Sequence, residues 1–210
     1  MRTESLRVYR GGAGLTSLVG RATGLDAAAS ARFSVLGDTL VDVFVTTPFE
    51  CVASRRVEAV ASRDGAVVAA SDLLEALNSN SAEVGTPRDP NWPGALPPKS
   101  GFVERDTIPV GVVRQLADEG RALARQFSGP LGPPSSLLNQ TVVTADADSA
   151  DPVEIPMRMI FTCTALGLIP GFAAPVEVPR HLRVATAGRW VRVDAPFGSV
   201  YRSTSLGLFA

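Results

Sequence analysis

The chain has 210 residues, 45% of them apolar and 20% charged, with a formal net charge of −1. This composition supports a packed core without disulfides or structural metal, and it gives no overall electrostatic attraction to nucleic acid or anionic lipid. Cys51 and Cys163 are too few for a secreted disulfide framework, the first residues lack the apolar stretch of a Sec signal, and no apolar run reaches about 18 residues, so a cytoplasmic protein without membrane spans is expected.

Basic charge is almost entirely arginine, with Lys99 the sole lysine, and Ala, Gly, Val and Pro are abundant. That is the codon bias of GC-rich genomes such as those of actinobacteria. An arginine-built anion site is the less favoured explanation, because the arginines are scattered along the chain.

In chain order, residues 5–9 read as a short strand broken by Gly11-Gly12-Ala13-Gly14, with a helix beginning in residues 15–22. Val41, Val43 and Val45 alternate with Asp42, Phe44 and Thr46, and residues 51–60 alternate again, predicting an antiparallel pair across the turn 47–50. Val67 and Val68 add a short strand, and Ser71 or Asp72 is placed to cap a helix reaching Leu77, with Glu75 completing a capping box. From 84 to 101, five prolines exclude regular structure, and Trp92 points to an arm that packs on its own subunit or on a neighbour.

Ile108-Pro109 opens the most regular helical pattern, which runs to Phe127 and stops at Gly129-Pro130. Residues 137–145 and 153–155 form a hairpin around the acidic loop 146–152, and an apolar helix follows from Pro156 to about Gly167. The C-terminal segment alternates through Leu182 and Val184, Val191 and Val193, then Val200, with turns at Ala187-Gly188 and 195–198. This predicts a three-stranded antiparallel meander. The expected fold is α+β, with antiparallel β units packed on two main helices. The chain divides into an N-terminal half (1–83), a proline-rich arm (84–101) and a C-terminal half (102–210), together one compact domain.

Few motifs carry chemistry. Gly12-Ala13-Gly14-Leu15-Thr16-Ser17 ends in Ser17 where a dinucleotide fingerprint needs its third glycine, and no βαβ pattern follows, so a flexible turn is the favoured reading. Asp146, Asp148, Asp151 and Glu154 lack the glycine and final carboxylate of an EF-hand, and read as a solvated hairpin tip. A Cys51–His181 dyad is disfavoured without a family signature, and one histidine with two distant cysteines makes no zinc site. No cofactor or metal is expected.

The most informative surface lies in the meander. If Val191 and Val193 face the core, Trp190 and Arg192 face outward, joined by Tyr201 and, in ordinary register, Arg183. Aromatic and arginine side chains on a sheet face build protein hot spots. Trp190, Arg192, Tyr201, Arg183 and Trp92 are therefore the expected interface of a self-associating binding or regulatory module without catalysis. Its partners are further copies or other proteins; nucleic acid and membrane are not expected. The alternative is a small enzyme or anionic-ligand binder with a pocket between the two halves, Arg55 and Arg56, with Asp64, supplying the anion site.

Overall fold

The computed structural model describes residues 3–127 and 133–204. Gly129 and Pro130, read as the stop of the long helix, lie outside the described residues. The chain forms two compact units, Met1–Lys99 and Ser100–Ala210.

In the N-terminal unit, β1 (Leu6–Arg10) leads into α1 (Gly12–Leu25), followed by β2 (Ser30–Val35), β3 (Leu40–Thr46), β4 (Val52–Ala61), β5 (Val67–Ala69) and α2 (Ala70–Asn78). The strands pair antiparallel in the order β5-β2-β3-β4, and β1 pairs with β4. Register places Phe33, Val43 and Arg55 on one face, with Ser34, Asp42 and Arg56 on the other. Helix α1 packs on the first face against β3, β4 and α2, and Leu15, Leu18 and Val19 of α1 are buried there with Phe33 and Leu73.

The glycine-rich stretch is corrected from a flexible turn to the start of α1. Gly11 is its N-cap, with φ +86, and a Cβ there would lie 3.2 Å from Val57 Cγ1; only glycine combines that left-handed backbone with so close an approach. The expected capping box is also corrected. Helix α2 starts at Ala70 with Ala69 as N-cap and no side-chain cap, so Asp72 sits inside the first turn. Strand β2 was not anticipated.

The proline-rich segment has one 3-10 turn, Asp89–Asn91, and lies along the edge of β5. Arg88 N–H donates to Val67 O (2.7 Å), and Val67 N–H donates to Asp89 Oδ1 (3.0 Å). Trp92 is buried, with the Arg32 guanidinium 5.7 Å from its ring centroid. A segment poor in amide donors cannot continue the sheet, so it caps the edge.

The C-terminal unit contains β6 (Val103–Pro109), α3 (Val110–Phe127), α4 (Ser135–Asn139), the hairpin β7 (Thr141–Ala145) and β8 (Val153–Pro156), α5 (Met157–Ala165), then β9 (His181–Ala187), β10 (Trp190–Ala195) and β11 (Gly198–Ser203). The last three form the expected meander, and β6 pairs antiparallel with β9. Helix α3 packs on α5, and α5 packs on β11. The α+β class holds, with five α-helices among the described residues. Ile108 and Pro109 are corrected from the opening of a helix to the end of β6, and Leu137 from a strand to α4. None of the described helices is long and apolar enough to cross a membrane.

Candidate functional site

The predicted surface lies on the meander. Trp190 stands opposite Ala187 and Ser203, Arg192 opposite Ala185 and Tyr201, and Asp194 opposite Arg183 and Ser199. Directly paired residues share a face, so Trp190, Arg192, Tyr201 and Arg183 come together, while Val184, Val191, Val193 and Val200 take the buried side.

Arg192 is the organising side chain. Its Nε lies 3.0 Å from Asp194 Oδ2 and its terminal nitrogen 2.9 Å from the same oxygen, while the guanidinium sits 4.2 Å from the Phe102 ring centroid. Phe102 in turn meets Tyr201 edge to face, centroids 6.0 Å apart at 71°. Ser199 Oγ donates to Asp194 Oδ1 (2.6 Å). A planar cation held by a carboxylate and stacked on a ring has few rotamers left. Tyr201 is only 6% exposed and forms the floor of the cluster, so the accessible part is the half-buried Trp190 and Arg192 with exposed Arg183.

The other singled-out residues do not join this cluster. Trp92 is 7% exposed within the N-terminal unit. Arg55 and Arg56 leave opposite faces of β4 and do not converge on one anion. The Arg55 guanidinium packs against α1, where a Cβ on Gly14 would collide with it, and burial pushes its pKa down. Arg56 grips Asp42 through two hydrogen bonds (2.8 and 2.9 Å). Asp64 accepts from Lys99 Nζ (2.8 Å) and Val35 N–H (2.9 Å). Cys51 is buried in the N-terminal unit, and His181 is exposed in the C-terminal unit.

The acidic loop is tied down. Asp146 accepts two bonds from Arg105 (2.9 and 3.0 Å), and its N–H donates to Asp106, whose carboxyl is held below the usual range by that bond and by Thr107 N–H. Among the described residues no three His, Cys, Asp or Glu side chains gather as a metal site.

Two surface features escaped the sequence reading. Phe102 is an isolated aromatic after Gly101, and nothing local indicates that it stacks on Arg192. Phe172 and Val176, in the loop between α5 and β9, are 91% and 93% exposed. That loop is held in shape by Arg180, which donates to Gly171 O (2.9 Å) and Ala174 O (2.8 Å), and Arg114 lies 4.2 Å from the Phe172 ring centroid. The apolar residues between Pro170 and Pro179 were the available signal, without a period to give them a face.

Comparison with solved structures places this architecture among DNA polymerase sliding clamps. The Caulobacter crescentus clamp is 11% identical with a TM-score of 0.58, covering 99% of this chain and 67% of that one. A ligand-bound Pseudomonas aeruginosa clamp is 13% identical with a TM-score of 0.56, covering 100% and 66%. A putative DNA polymerase III beta subunit from Eubacterium rectale is 7% identical with a TM-score of 0.56, again covering 100% and 66%. The chain thus spans about two thirds of the length of these proteins, and the likeness establishes a sliding-clamp-like fold. No curated protein matches it in sequence. Residues 1–94 match the family described as a domain of unknown function, DUF8010. Residues 97–207, more than half of the chain, match a second such domain, and the chain belongs to that family, DUF8185.

Proposed function

We propose that this chain is a non-catalytic, self-associating binding module, and that it meets further copies or partner proteins through the outer sheet face of its C-terminal unit at Trp190, Arg192 and Arg183. The observation that carries this reading is the likeness, along the whole chain, to proteins named as sliding clamps and as a polymerase subunit. The surface chemistry supports it. A guanidinium already fixed by Asp194 and Phe102 loses little freedom on binding, and the half-buried tryptophan beside it supplies apolar contact area. Phe172 and Val176 add exposed apolar surface in the same unit.

Light scattering from about 1 to about 100 µM tests the proposal, because association must follow mass action. The expected result is a mass above the 22.0 kDa chain that falls on dilution. Trp190→Ala should raise the dissociation constant about tenfold, or about 1.4 kcal/mol, with an unchanged circular dichroism spectrum. A monomer at every concentration overturns self-association. Nucleic acid has no part in the proposal, because a net charge of −1 offers no general attraction to phosphate. Salt-dependent retention of duplex DNA would contradict that.

A further inference from the structure

We propose that the free edge of β1, with the cleft beside it, binds an extended acidic segment of a partner protein by strand addition. This is independent of the self-association surface, which lies in the other unit.

Strand β1 pairs with β4 along one edge. Its other edge is covered only at the start, where Leu6 N–H donates to Ala82 O (2.8 Å) and Val84 N–H to Glu4 O (3.0 Å). In a strand the backbone groups of residues i and i+2 point the same way, so those of Val8 face the side that Leu6 faces. No backbone hydrogen bond from the described residues reaches Val8 on that side, and no described strand pairs there. A bulge between Val8 and Arg10 re-aims the end of the strand.

Two other edges carry contacts of their own. At β5 the edge is sealed by Arg88 and Asp89 on Val67, and at β6 the Asp106 carboxylate takes the Asp146 N–H. Proteins cap sheet edges because an open one recruits other chains, so an edge left open beside a cavity is a place for a strand.

The cavity is about 770 Å³ and is lined by the whole of β1, the first turn of α1 and the end of α2. Five strand residues extend about 17 Å, and the part beyond Leu6 is open to an incoming peptide. Small side chains form much of the opposite wall, among them Gly12, Ala13, Ala76 and Ala82, and these leave room for alternate side chains of an incoming strand. Tyr9 is 58% exposed on the strand.

Charge selects the partner. Arg7 and Arg10 are exposed on β1; Arg10 shares Glu58 at 3.3 Å, both side chains reaching solvent, and Arg7 has no carboxylate partner among the described residues. The first turn of α1 carries no acidic residue, and its N-cap Gly11 offers no side-chain acceptor, so the positive helix end adds to the two arginines. An open strand end with this charge fits a polypeptide carrying Asp or Glu at alternate positions.

The test pans the full chain against a random library of linear peptides of about seven residues, about 23 Å when extended. The selected sequence is then synthesised and its binding followed by fluorescence anisotropy. Enrichment of alternate acidic residues is expected, with binding weakened at least about tenfold by Arg7→Glu combined with Arg10→Glu. The same peptide N-methylated on alternate amides retains every side chain but cannot pair, and it should bind at least about tenfold more weakly. Unchanged thermal unfolding of the double variant verifies its fold. No enrichment, acid-free peptides indifferent to charge reversal, or equal binding of the N-methylated peptide overturns the proposal; none of these results alters the oligomer mass that tests self-association.

Discussion

At the scale of single residues, the N-terminal unit depends on a polar chain running inward from its surface. Glu4 is 1% exposed and accepts from Arg63 Nε (2.9 Å) and from Ser62 Oγ, and Arg63 also donates to both oxygens of Asp89 (2.8 and 2.6 Å). A buried carboxylate tolerates burial only while it is paired. Arg63→Met should therefore cost about 3 kcal/mol in urea unfolding, and Arg63→Lys less, since a lysine supplies the charge without the fork. The Asp89 carboxyl is held below the usual carboxylate range, first by Arg63 and then by Val67 N–H. A lowered folded-state pKa stabilises above the ordinary value of about 4 and is lost as pH falls through the lower folded value. Asp89→Asn should lower neutral-pH stability by about 1 kcal/mol and flatten the acid limb of the stability profile; an acid limb as steep as the parent's would remove Asp89 from this role.

At the scale of elements, α3 and α5 approach each other closely in the C-terminal unit. A Cβ on Gly120 of α3 would come within 2.8 Å of Met157 Cε and 2.9 Å of Phe161 Cε1 of α5. The methionine tip can move, but the ring is buried and has less freedom. Gly120→Val should destabilise by about 1–3 kcal/mol through overpacking, measured by thermal unfolding; a stabilised variant would mean that α5 shifts freely. Elements with a clear period were legible from sequence: β3, β4, the meander, α3 and α5. Strand β2 was not, because Ala31 gives a weak apolar signal at one of its inward positions. Strand β6 was hidden by Glu104, Arg105 and Asp106, whose charges sit on an edge strand tied to the acidic loop. Helix α1 was legible only from its fourth residue, since a glycine-rich first turn defies propensity and forms because Gly11 and Gly14 admit Val57 and Arg55.

At the scale of the whole molecule, each unit carries its own helices and buried apolar residues, and the two family matches divide the chain near the same place. Damage should therefore stay local. Hydrogen exchange should rise across residues 3–99 in Arg63→Met and across 100–204 in Gly120→Val, and equal acceleration in both units from either change would show one cooperative block instead.

Composition and period two were enough for the α+β class, the meander and the shared face of Trp190, Arg192 and Tyr201, because alternation is a property of the local backbone. Which members of that face meet solvent was beyond them. Tyr201 is covered by Phe102 and Trp92 rests on Arg32, contacts between side chains far apart in sequence that local pattern does not encode. The open edge of β1 was equally invisible, because an edge is defined by which strands pair, and pairing is set only when the chain has folded back on itself.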